Sequence, residues 1–159
     1  MSITKKIYLI KQLNRQQKCW LFYFVFSSLM TRVALKFVAM RKLAKPMGVA
    51  VGNRQLSALA TSEQIKMASE MGVLMMRVAN NVPWQCTCLA QALCVKRLLN
   101  FYKVPSVLYI GALISPNESI ESKQLKAHAW INVQSITVIG GPQHLKYQVV
   151  ATFMSLSFG

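Results

Sequence analysis

At Pro105 the apolar residues of this chain change period, and that change decides the fold class. Before it, Ile65, Ala68, Met71, Leu74, Met75 and Val78 recur every three or four residues. This helical stripe is opened by Thr61 and Gln64 at capping-box spacing and closed by Asn80-Asn81-Val82-Pro83. A second helix begins near Thr87 and runs through Leu89, Ala92, Leu93, Lys96, Leu98 and Leu99 until Pro105 stops it. Earlier in the chain, Leu9, Leu13, Leu21, Val25 and Leu29, then Val33, Leu35, Phe37 and Val38, keep helical spacing up to Pro46-Met47-Gly48. Gly48 to Ala60 shows no clear period. Beyond Pro105, strands are predicted at Ser106 to Ile114, Ala127 to Val133, Ile136 to Ile139 and Gln148 to Phe153. The polar loop Ser115 to Lys126 and the turn Gly140-Gly141-Pro142 separate them. Helices followed by an antiparallel sheet give an α+β fold. A chain of 159 residues suits one domain, 1–159, with a basic helical region at 1–47 ahead of a core at 61–159.

Charge removes several kinds of chemistry. Nineteen Lys and Arg face four acids, Glu63, Glu70, Glu118 and Glu121, with no aspartate at all. Paired-carboxylate glycoside hydrolysis, EF-hand loops and Asp-held magnesium all need acids this chain does not have at usable spacing. No GxxxxGK[ST], GxGxxG or HExxH run is present, so no cofactor is expected. Ten basic residues precede Pro46 with no acid among them, and this charge would attract anionic lipid, phosphate or an acidic peptide alike. Basic residues interleaved with Trp20, Phe22, Tyr23, Phe24 and Phe26 fit peripheral contact with a membrane or a nucleic acid, although no nucleic-acid motif is visible. The uncharged run Cys19 to Thr31 would span roughly 20 Å as a helix, short of a bilayer core of roughly 30 Å. It is read as a buried helix or one lying in a membrane interface. The expected setting is cytoplasmic, with reduced cysteines.

Three of the four cysteines fall in PWQCTCLAQALC, Pro83 to Cys94. Structural zinc prefers pairs two to four residues apart matched by a second pair. Cys86 and Cys88 are separated by one residue and no second pair follows; His128 and His144 could complete four ligands, but at no common spacing. A Cys86–Cys88 disulfide would close a strained small ring. A working thiol needs a lowered pKa and a base. If Thr87 caps the helix, Cys88 lies in its first turn, where unpaired N–H groups favour thiolate. Cys94 would lie inside the same helix. His128, in AHAWINV, is flanked by small Ala127 and Ala129 pointing opposite to it and shares its face with Trp130 and Asn132. A cysteine at a helix start and a histidine on a later strand are the two parts of thiol acyl transfer. Packing alone also accounts for either residue. The Cys88 amide and the Gln85 side chain are oxyanion candidates, and Trp84 a wall.

The segments CLAQAL (Cys88 to Leu93), LYIGALI (Leu108 to Ile114), AHAWINV and VIGG (Val138 to Gly141) resemble the lasso peptide leader peptidases, small transglutaminase-like cysteine proteases. The resemblance covers about Pro83 to Phe153. It implies a papain/transglutaminase-like core, Cys88 as nucleophile, His128 as its base, and cleavage of the leader from a lasso precursor peptide. It further implies a lasso cyclase and, given the chain's length, a separate small leader-recognition protein as partners. An acyl transferase shares the thioester step and differs only in the acceptor. Where such proteins often carry an Asp after the histidine, this chain has Gly140 and Gly141. The third role is then open to Asn132, Ser135, Gln143 or a backbone carbonyl.

Overall fold

A computed structural model describes residues 10–37, 48–52, 59–113 and 126–155. Among the described residues three α-helices, α1 (Arg15–Phe37), α2 (Ser62–Ala79) and α3 (Cys88–Phe101), precede most of the sheet. Its strands are β1 (Val49–Ala50), β2 (Ser106–Leu113), β3 (Lys126–Val133), β4 (Ile136–Ile139) and β5 (Gln148–Ser155). They form one antiparallel sheet in the order β1-β5-β2-β3-β4. The α+β layout expected from the change of period is the one observed.

Local chemistry sets the element ends. Thr61 and Gln64 form the full capping box of α2, and Thr87 Oγ1 accepts from the Ala90 amide at the start of α3. Val133 pairs with Ile136, so β3 and β4 are joined through a two-residue turn in which Gln134 takes positive φ. Short β1, in the segment without a clear period, exists because it pairs with β5 at the sheet edge. The end of the first helical stretch beyond Phe37 and most of the Ser115 to Lys126 loop lie outside the described residues.

α2 and α3 cover one face of the sheet, and α1 packs over them. Met71, Met75, Leu93, Val95, Leu99, Leu108, Ala129, Ile131, Val133 and Ile139 share one dry cluster there. α1 packs on both α2 and α3, α2 on β4, and α3 on β3. The opposite face carries a second cluster of Val107, Tyr109 and Trp130, with Tyr147, Val149 and Met154 against it. Strand alternation thus sorts β3 by parity: 129, 131 and 133 toward the helices, 128, 130 and 132 away from them.

Candidate functional site

The segment entering α3 is tied down residue by residue. Trp84 Nε1 donates to Ser28 Oγ at 3.2 Å, and Arg32 Nη1 donates to the Gln85 carbonyl at 3.2 Å, both partners lying on α1. Gln91 Nε2 donates to the Cys86 carbonyl at 2.8 Å. Thr87 then caps the helix, and Cys88 is its first residue. Ser28 and Arg32 were not marked by the sequence as part of this region, because each acts across the fold and carries no local motif; Gln91 lies within CLAQAL, but its bond to Cys86 was not legible there. Gln85 is itself exposed, held by its carbonyl, and Trp84 acts as a tether as well as a wall.

The cysteines fall into different environments. Cys94 is fully buried, bonded at 3.6 Å to Thr31, and burial pushes its thiol pKa up. Cys86 is driven up to about 11, mainly by burial and then by the neighbouring Cys94. A thiol at that value is protonated at neutral pH and a poor nucleophile. Cys88 is half-buried and sits where the first-turn amides of α3 converge. All four cysteines are free thiols, and among the described residues no group of three or more His, Cys, Asp or Glu is placed to hold a metal ion.

His128 is half-buried near the start of β3, paired across to Gly111 of β2. Gly111 is there for space: a Cβ on it would lie 2.8 Å from the Trp130 ring and from Tyr147 Cβ. The His128 ring lies 6.1 Å from Trp130, nearly parallel, and 5.0 Å from Tyr147. Its Nε2 is 2.8 Å from the Gly140 carbonyl oxygen. A carbonyl can only accept, so Nε2 carries the proton and Nδ1 of the neutral ring is left as the basic nitrogen.

That carbonyl stands where the family resemblance expects an aspartate. Asn132 shares the face of His128, but its Oδ1 accepts from Thr137 at 3.1 Å, while Gln143 and Ser135 are exposed. The next carbonyl, Gly141, meets His144 Nδ1 at 2.6 Å, and His144 lies 5.6 Å from the Trp130 ring. One glycine pair therefore orients two histidines that both lie against one indole. Gly140 has φ +107, and a Cβ there would fall 2.3 Å from Trp130 Cβ. Only glycine fits this turn. The two adjacent glycines were the legible signal; that their carbonyls address histidines was not.

A connection of four residues, Tyr102 to Pro105, folds β2 back along α3. α3 extends about 20 Å from its last residue to Cys88, and β2 about 17 Å from Ser106 to Gly111. By these lengths Cys88 and His128, the partner of Gly111, both lie away from the Tyr102 to Pro105 connection. They do not share a face: Cys88 packs with the helix-side cluster, and His128 with the aromatic one. Among the described residues no hydrogen bond joins them. Lys126 and Ala127, just ahead of His128 on β3, are exposed.

Residues 31–152 match the family model of the transglutaminase-like superfamily. No curated protein and no solved structure matches the chain.

Proposed function

The chain belongs to the transglutaminase-like superfamily, which includes cysteine proteases and acyltransferases, and from that premise we propose that it is a cysteine peptidase removing the leader from a lasso peptide precursor. The observation that carries the thiol chemistry is the contrast among three cysteines. Cys88 alone stands at a capped helix start inside the matched region, half-accessible, while Cys86 and Cys94 have raised pKa values. The finer reading, lasso leader cleavage, is supported by CLAQAL, AHAWINV and VIGG at their separations.

In this reading the Cys88 thiolate attacks the scissile carbonyl, and the first-turn amides of α3 receive the oxyanion. His128 Nδ1, left basic by the Nε2–Gly140 bond, takes the thiol proton and returns it to the leaving amine. Water then releases the acyl-enzyme. This reading requires the His128 ring, still bonded to Gly140, to meet the Cys88 sulfur in the substrate complex, where catalytic hydrogen bonds often first form. The carbonyl of Gly140 orients the ring but contributes no full negative charge to the imidazolium, so a slower enzyme than an Asp-bearing relative is expected. Lasso precursor, leader-recognition protein and cyclase are the partners this reading implies.

The test is incubation with the precursor peptide and its leader-binding protein, read by mass spectrometry. Cys88→Ala is expected to abolish cleavage, by about a thousandfold or more, while Cys86→Ala and Cys94→Ala keep most of it. Wild-type turnover with Cys88→Ala would overturn the assignment. A product carrying an amine in place of water would turn the reading to acyl transfer.

A further inference from the structure

Helix α1 is built with its apolar side outward. Its buried residues are Trp20, Phe24, Ser27, Ser28 and Thr31, so three of the five are hydroxyl-bearing. The hydroxyls of Ser28 and Thr31 serve as latches, to Trp84 and Cys94, and Trp20 Nε1 donates to the Tyr102 hydroxyl at 3.0 Å. In solvent stand Phe22 at 75%, Phe26 at 66% and Phe37 at 82% exposure, with Val25, Leu29, Met30 and Val33 among them. Positions 22, 26, 29, 33 and 37 follow helical spacing and form one stripe of about 22 Å. A helix that buries serine and threonine while exposing three phenylalanines has its outer face made for an apolar environment.

We propose that this face docks the protein on an anionic lipid bilayer, with α1 lying flat in the interface. Charge selects the occupant. Arg15, Lys18 and Lys36 fall on the same spacing as the stripe, three, four or seven residues from its members, and Arg32 flanks it. No acid occurs anywhere in α1. Long basic side chains at both ends of an apolar stripe reach headgroup phosphates while the rings enter the acyl boundary. A second copy of the chain would bring the same cations together, on a protein of net charge +15. By length and composition α1 could cross a membrane, but its inner face is bonded to Trp84, Cys94 and Tyr102, which holds it along the surface.

The experiment is co-sedimentation of the full chain with phosphatidylcholine vesicles and with vesicles also containing phosphatidylglycerol. Wild type is expected to pellet with the anionic vesicles and to be released by salt. The Phe22→Ser/Phe26→Ser variant, folded by circular dichroism because both rings are exposed, should lose about tenfold or more in partitioning. Equal binding to both vesicle types, retention by the double variant, or wild type left in the supernatant overturns the proposal. So does a light-scattering dimer that the double variant disperses without any vesicle binding, which would give the face to a second copy.

Discussion

The two faces of the sheet are made from the same strands yet hold unlike chemistry. From β3 the helix-covered face takes Ala129, Ile131 and Val133, all buried among aliphatic and methionine side chains. The other takes His128, Trp130 and Asn132, together with Tyr109 and, from the segment after β4, His144 and Tyr147. The first face is selected for shape, since nearly every atom on it is apolar and close-packed. The second keeps polar atoms, and His128 Nε2, Asn132 Oδ1 and His144 Nδ1 each have a partner that fixes their direction. The proposed function puts the chemistry where a ring can be both oriented and reached. The dry face supports it by holding α3, and with it Cys88, against the same strands.

Gly140→Ala attacks the aromatic face alone and carries the largest expected effect on stability. The new Cβ would meet Trp130 Cβ at 2.3 Å in a left-handed backbone region. A loss of about 3 kcal/mol is expected, from strain together with overpacking. Chemical denaturation measures it. Nitrogen NMR of His128 should show the Nε2–H tautomer lost as its carbonyl partner moves. If the variant instead keeps both stability and tautomer, the glycine pair does not organise this face.

The dry face holds one charge among its fully buried side chains, Lys96, whose Nζ donates to the Ser106 carbonyl at 2.6 Å and hydroxyl at 2.9 Å. Burial lowers its pKa from 10.5 to about 7. The unfolded chain then binds more protons than the folded one between those values. Stability contributed by this group therefore rises with pH from about 7 toward 10.5 and is flat below. A gain of about 2 kcal/mol between roughly pH 7 and pH 9 is expected in denaturation midpoints. Lys96→Met should remove that slope. An unchanged slope would place the titration elsewhere and leave the dry face electrically silent.

Much of this division could be read from the residues before any coordinates, and for a clear reason. The parity of AHAWINV separates Ala129 and Ile131 from His128 and Trp130, and period alone places α2, α3 and four strands. The match over residues 31–152 agrees with the transglutaminase-like core implied by the motifs. Three things were not legible. The direction of α1 was not, because Val25 and Leu29 keep helical spacing whether they face protein or solvent, and here they face solvent. β1 was not, because two residues have no period. The partner of His128 was not, because a backbone carbonyl leaves no mark in the sequence, and a glycine pair marks only where the chain can turn.

The smallest expected effect lies at the start of α3. Thr87 Oγ1 satisfies one amide that the helix cannot, Ala90 N–H at 3.3 Å. Thr87→Ala should cost about 1 kcal/mol, the ordinary value of a lost cap, while Thr87→Ser keeps the hydroxyl and most of the stability. Denaturant midpoints of the two variants separate the cap from any packing of the Thr87 methyl. A serine variant as weak as the alanine would assign the loss to the methyl instead. It would also leave the segment entering Cys88 to the tethers that α1 places on Trp84 and Gln85 and that Gln91 of α3 places on Cys86.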